Sequence, residues 1–168
     1  MKNIYLVGFM GTGKSAVGRK LANKIESKFV DLDHFIEKEQ GRTIKDIFSR
    51  NGEFYFRTLE KEAVKEVCGL ESVVIACGGG VVLDDENMQN LKGSGIVICL
   101  NSRPEVILKR CKGHAHRPLL NVDNPLLRIK ELLSFRAPFY AKAQFSIDTS
   151  DLTVEESVEE IYKQINKL

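Results

Sequence analysis

The sequence predicts an α/β fold, a three-layer α/β/α sandwich with a five-stranded parallel sheet at its centre. Three observations predict it. The apolar runs are short and continuous instead of alternating with polar residues, which marks strands buried on both faces. Stretches with apolar residues at helical spacing separate those runs, and β-α-β-α alternation is how parallel strands become connected. A glycine-rich turn joins the first strand to the first helix.

Ile4-Tyr5-Leu6-Val7 is the first run and ends at Gly8; over 15–25, Val17, Leu21, Ala22 and Ile25 share a helical face. Phe29-Val30 is the second strand, followed by Asp31-Leu32-Asp33. Helical stretches come next at 34–40 and 44–50, separated by Gly41, and a longer one runs from about 53 to 67. Val73-Val74-Ile75-Ala76 is a β-branched run halted by Gly78-Gly79-Gly80. Ile96-Val97-Ile98-Cys99-Leu100 follows, and the next helix is expected to open on Ser102 as N-cap with Pro104 in its first turn. Phe145-Ser146-Ile147 completes the sheet. Thr153 begins a last amphipathic helix carrying Val154, Val158, Ile161 and Ile165. With no repeat, linker or low-complexity tract, one domain is expected over 1–168, with ligands outside the carboxyl ends of the strands.

At 168 residues and 43% hydrophobic, the chain can bury a sizeable core. Net charge is only +2, with Lys and Arg interleaved among Asp and Glu, which argues against a nucleic-acid partner. The first apolar run is too short for a signal-peptide core or a membrane span, so a cytoplasmic protein without a membrane partner is expected. Cys68, Cys77, Cys99 and Cys111 are widely spaced and lack zinc-type partners; they read as free buried thiols. No coiled-coil heptads appear, and a monomer is the default.

Gly8-Phe9-Met10-Gly11-Thr12-Gly13-Lys14-Ser15 matches G-x-x-x-x-G-K-[ST] in full. Glycines let successive backbone N–H groups converge on phosphate oxygens, and the helix that follows offers its positive N-terminus. Lys14 would reach the β- and γ-phosphates of ATP, and the Ser15 hydroxyl would ligate Mg²⁺. The nucleotide-binding set is therefore Gly11, Thr12, Gly13, Lys14, Ser15 and Ala16. Spacing excludes a protein-kinase glycine loop, since no glycine stands three residues after Gly13. Gly18, inside the helix, is best explained by close helix–sheet packing.

Metal-dependent phosphate chemistry usually needs a second carboxylate at a strand end. The run 73–76 ends in Cys77 and three glycines, with no acid there. Asp31 and Asp33 follow the second strand instead. On an extended segment, side chains two apart share a face, so both carboxylates can face one site. One can hold magnesium, and the other can accept a hydrogen bond from an attacking hydroxyl. The competing reading is a solvated loop in which Asp serves as a helix N-cap. Gly78-Gly79-Gly80 exposes bare backbone where amides can approach a ligand, or else forms a flexible connection.

Gly8–Ser15, Asp31-x-Asp33, Phe56-Arg57-x-x-Glu60, Gly78-Gly79-Gly80, Arg117-Pro118-Leu119-Leu120 and Arg136-x-Pro138-x-Tyr140 together resemble shikimate kinase. The resemblance implies a fold like that of the nucleoside-monophosphate kinases, with a substrate-binding helical region at about 33–60 and a lid at about 112–124. It implies transfer of the ATP γ-phosphate to the 3-hydroxyl of shikimate, in the pathway to aromatic amino acids. Lys14, Asp33 and Arg117 would be catalytic, and Asp31 would lie near the magnesium. Arg57 and Arg136 would clamp the shikimate carboxylate beside Gly78, Gly79 and Gly80. Arg117 would touch the ATP phosphates from the lid, and Arg110 would lie against adenine. A guanidinium suits such a clamp because its planar fork binds carboxylate bidentately, whereas Lys offers a point charge. Glu60, one helical turn after Arg57, either makes a surface pair or holds Arg57 in position. Two features depart from the family pattern: Cys77 stands where a small hydroxyl residue is usual, and 150–154 lacks a proline. Kinases of other sugar acids such as gluconate, and non-catalytic nucleotide-binding modules, are the competing readings.

Overall fold

The computed structural model describes residues 2–112 and 120–168. Its elements are β1 (Asn3–Val7), α1 (Lys14–Lys24), β2 (Lys28–Asp31), α2 (Leu32–Gln40), α3 (Ile44–Cys68) and β3 (Val73–Ala76). They continue with α4 (Asp85–Ser94), β4 (Gly95–Asn101), α5 (Pro104–Cys111), α6 (Pro125–Tyr140), β5 (Phe145–Asp148) and α7 (Val154–Ile165). The five strands pair in parallel in the order β2-β3-β1-β4-β5. β1 is central, with Ile4 opposite Val74 on one side and Ile96 on the other.

Alternation along β1 divides the core. Ile4 and Leu6 point to one face, where Val17 and Leu21 of α1 and Val158 and Ile161 of α7 cover them. Tyr5 and Val7 point to the other, against Ile36, Leu59, Met88, Ile107 and Ile129 from α2 through α6. The result is the three-layer arrangement the apolar runs predict.

Gly8 ends β1 at φ +138, and a Cβ there would meet the Leu100 carbonyl oxygen at 2.2 Å. Both the backbone angle and the contact require glycine. Gly8→Ala should therefore lower unfolding free energy by about 2–4 kcal/mol, read from denaturant melts. An unchanged midpoint would contradict the fit described. Gly18 answers to packing, since a Cβ would sit 2.6 Å from Cε2 of Phe29 in β2.

The break expected between the helices at 44–50 and 53–67 is present: α3 is two helical segments meeting at Gly52, where φ 81 and ψ 174 leave the helical region. Three expectations need amendment. Ser102 does not cap α5; Arg103 holds that position without a side-chain cap, because the Ser102 hydroxyl pairs with Thr149 at 2.9 Å. Asp33 lies in the first turn of α2 and not on an extended segment. Finally, α4 and α6 stand where no helix was predicted. Asp84 caps α4 by accepting from the Asn87 N–H, and Asn124 caps α6 ahead of Pro125. Thr153 does open α7, within a reciprocal capping box with Glu156. None of the four cysteines forms a disulfide, and Cys77, Cys99 and Cys111 are buried while Cys68 is half-buried.

Candidate active site

The glycine-rich loop leaves the carboxyl end of β1 and runs into α1, so it lies over the centre of the sheet. Gly11 and Gly13 take φ 75 and 97, and Thr12 is buried with its hydroxyl on the Phe9 carbonyl at 2.8 Å. Lys14 curls back so that Nζ donates to the Gly8 and Phe9 carbonyls, both at 2.8 Å. The ammonium is thereby held inside the loop. Ala16 sits exposed in the first turn of α1.

The Ser15 hydroxyl donates to Asp31 Oδ2 at 2.6 Å, which unites the two expected metal ligands. Asp31 also caps α2, its Oδ1 accepting the His34 N–H at 3.3 Å. The N-cap and the metal reading of Asp31 are therefore compatible, one oxygen serving each. Both Ser15 and Asp31 offer hard oxygen donors reachable from solvent. That fits Mg²⁺, which typically takes one or two protein ligands and completes its shell with water and phosphate oxygens. Among the described residues, no cluster of three or more His, Cys, Asp or Glu could hold a metal unaided.

Asp33 is presented by the first turn of α2 towards the triple glycine. Burial, then the nearby Asp31 charge, pushes its carboxyl up to about 6, while Lys14 and Arg57 pull the other way. The three glycines after β3 then divide the work. A Cβ on Gly78 would lie 2.9 Å from Asp33 Oδ1 and 3.1 Å from Glu60 Oε2. One on Gly79 would approach Arg136 Nη1 at 3.4 Å and the Gly8 carbonyl at 3.6 Å. One on Gly80 would meet the Arg57 guanidinium at 2.5 to 2.8 Å. The bare backbone is what lets α2, α3, α6 and the phosphate loop converge.

Arg57 donates to Glu60 Oε1 at 2.7 Å and to Glu53 Oε1 at 3.2 Å. Glu60 is 1% exposed, so its carboxylate is a buried anchor for the half-buried Arg57 and not half of a surface pair. Burial raises the Glu60 carboxyl, and the Arg57 charge offsets part of that rise. Arg136, 7% exposed, donates from Nη1 to the Gly79 carbonyl at 3.3 Å and lies 5.5 Å from the Phe9 ring centroid. Its Nε has no hydrogen-bond partner, and among the described residues no carboxylate pairs with it. Tyr140 donates to the same Gly79 carbonyl at 2.8 Å. Burial pushes its phenol up to about 12, so it remains a donor throughout the physiological range.

Arg110 stands on the far side of the loop. Its guanidinium donates to the Gly11 carbonyl at 3.3 Å, the Ser102 hydroxyl at 3.0 Å and the Thr149 carbonyl at 2.6 Å. Arg117 and most of the expected lid lie outside the described residues. Cys77 is buried in the core, and burial raises its thiol far above the usual range, so it supplies no ionised ligand. Sequence reasoning missed Thr149 and the donor role of Tyr140. For Thr149 the available signal was its position just past β5, at the carboxyl edge of the sheet.

A phosphate loop, a serine–aspartate pair and two arginines meet around a glycine strip. The family model described as shikimate kinase matches residues 10–166. The chain belongs to the shikimate kinase family. It is 52% identical over 168 residues to a shikimate kinase of Thermodesulfovibrio yellowstonii, covering 100% of this chain and 97% of that one. A shikimate kinase of Thermoanaerobacter pseudethanolicus is 49% identical, with 100% and 98% covered. Among solved structures, the shikimate kinase from Acinetobacter baumannii in complex with shikimate superposes with TM-score 0.95 at 39% identity, covering 99% of this chain and 94% of that one. The shikimate kinase from Aquifex aeolicus gives TM-score 0.86 at 38% identity, covering 98% and 96%. Family membership identifies the chain as an ATP-dependent kinase with the nucleoside-monophosphate-kinase-like fold.

Proposed function

We propose that the chain transfers the γ-phosphate of ATP to the 3-hydroxyl of shikimate, giving shikimate 3-phosphate and ADP. One observation carries this reading: Arg57 and Arg136 flank the strip Gly78-Gly79-Gly80 while Asp33 faces its first glycine. That arrangement matches an acceptor bearing a carboxylate at one end and a hydroxyl at the other. No described carboxylate neutralises Arg136, which leaves its charge for the acceptor's carboxylate, and Glu60 holds Arg57 to share the load.

Lys14 and the loop amides bind the β- and γ-phosphates, with Gly11, Thr12, Gly13, Ser15 and Ala16 completing the cradle. Mg²⁺ at Ser15 and Asp31, when bound, supplies charge neutralisation on the phosphates. Asp33 accepts a hydrogen bond from the acceptor hydroxyl, aims it at phosphorus and takes its proton as the P–O bond forms. Lys14 and Arg117 stabilise charge on the group in flight, Arg117 from the lid, and Arg110 lies against the adenine. A site completed only when the acceptor fills it keeps water from reacting in its place.

We read the molecule as one kinase domain with a substrate-binding region at about 33–60 and a lid at about 112–124. It acts as a cytoplasmic monomer. Four cysteines without a disulfide suit a reducing compartment.

The test is ADP release from Mg-ATP with no acceptor, shikimate, gluconate or quinate. Stimulation by shikimate alone supports the reading, and equal rates with gluconate would replace it with a broader sugar-acid kinase. Gly80→Ala gives a finer check. Its backbone (φ −99) tolerates alanine, so the methyl acts only by displacing Arg57. The KM for shikimate should rise about tenfold, as expected for one weakened charge-assisted hydrogen bond, with KM for ATP little changed.

A further inference from the structure

Thr149, directly after β5, makes more polar contacts than any other hydroxyl near the phosphate loop. Its Oγ1 lies 2.9 Å from the Thr12 carbonyl, 3.1 Å from the Asn101 carbonyl, 2.9 Å from Ser102 Oγ and 3.1 Å from Arg110 Nη1. A hydroxyl has one hydrogen and two acceptor positions. Arg110 can only donate, so it occupies one acceptor position. The hydrogen goes to a carbonyl, the nearer being Thr12, and Ser102 therefore donates to the second position. The hydroxyl is saturated, and Thr149 and Ser102 are both buried.

What Thr149 holds explains why that matters. In a trans peptide the carbonyl and the following N–H point in opposite directions. Drawing the Thr12 carbonyl outward to Thr149 turns the Gly13 N–H inward, over the space the loop encloses. Arg110, itself gathered by Thr149 Oγ1 and the Thr149 carbonyl, draws the Gly11 carbonyl the same way. The inner side of the loop is fixed separately, by the Thr12 hydroxyl and Lys14 on Phe9. Thr149 is thus a buckle between β4, α5, β5 and the outer wall of the phosphate loop.

We infer that Thr149 is a positioning residue for nucleotide binding, its hydroxyl pre-orienting the loop amide that meets the phosphates. The inference rests on the kinase reading of the loop and adds to it a residue that touches no substrate. Pre-orientation matters because an amide already aimed need not be reordered when the ligand arrives.

The test compares Thr149→Val, which keeps shape and loses the hydroxyl, with Thr149→Ser, which keeps the hydroxyl. ADP affinity is measured by calorimetry, alongside KM for each substrate. The expectation for Thr149→Val is about tenfold weaker ADP binding and a similar rise in KM for ATP, one hydrogen bond's worth, with KM for shikimate within twofold. Thr149→Ser should bind ADP within twofold of the parent. A purely structural role predicts instead that both KM values shift together and that serine fails to rescue. Unchanged ADP binding in Thr149→Val, or equal impairment in Thr149→Ser, overturns the inference. Should the valine variant not fold, Thr149→Cys, a weak donor of similar size, takes its place with the same expected loss. Failure of the parent chain to bind ADP would overturn the nucleotide reading as well, which separates the two claims.

Discussion

Asp33→Asn should reduce kcat by about 10²–10⁴ while leaving ADP binding unchanged and making the free chain more stable. The asparagine keeps the shape and loses the charge that draws and then accepts the hydroxyl proton. The gain in stability follows from the sign of the pKa change. Burial and the Asp31 charge raise the folded-state value from 3.8 to about 6, so the folded chain favours the protonated form. Above about pH 6 the ionised carboxylate costs stability, on the order of 1–3 kcal/mol, and the cost fades as pH falls from 6 towards 4. Asparagine removes that cost at neutral pH. Thermal melts of parent and variant should therefore diverge most at pH 7 to 8 and converge near pH 4. Loss of activity with an equal loss of stability would mean that Asp33 is a structural residue. Opposite movement of the two is the signature of a functional carboxylate held in an unfavourable place.

Arg136→Ala should raise KM for shikimate at least about 100-fold, the loss expected when one partner of a buried ion pair is deleted, with KM for ATP within threefold. Arg136 is nearly fully buried, its Nε is unpartnered, and no described carboxylate compensates it. A guanidinium placed there without an internal anion is positioned for an external one. Arg136→Met, similar in volume and uncharged, should raise KM equally and leave stability unchanged or slightly higher, because no buried pair is broken. Arg136→Lys should not rescue, since the point charge of a shorter side chain cannot reproduce the fork. Quinate and gluconate, which also carry carboxylates, serve as controls for general anion binding. A variant with normal shikimate KM would move the carboxylate clamp elsewhere.

The parts of this molecule legible in the sequence are those that one local rule determines. Continuous apolar runs announced β1, β3 and β4, because strands covered on both sides admit few polar residues. The phosphate loop was legible because its glycines, lysine and serine are adjacent in the chain. The brace between Arg57 and Glu60 was partly legible from i,i+3 spacing; its burial was not, since that depends on β3 and the glycine strip. α4 escaped because its buried face carries only Met88 and Leu91 among apolar residues, while α6 had an overlooked start signal in Asn124-Pro125. The separate duties of Gly78, Gly79 and Gly80 are tertiary facts. Each is set by which helix delivers a side chain against it. Strand alternation does not relate Asp31 to Asp33: Asp31 ends β2 as the N-cap of α2, Asp33 lies in that helix's first turn, and both line one pocket. Thr149 shows the same limit: a lone threonine at a strand end carries no motif, only a place.

The most direct test of the account is a crystal structure of the chain with shikimate and Mg-ADP bound. The shikimate carboxylate should lie within hydrogen-bond distance of Arg57 and Arg136, beside the Gly79 backbone. The 3-hydroxyl should sit on Asp33 and point at the ADP β-phosphate held in the Gly8–Ser15 loop. A shikimate bound with its carboxylate on Lys14, or with a different hydroxyl on Asp33, would contradict it.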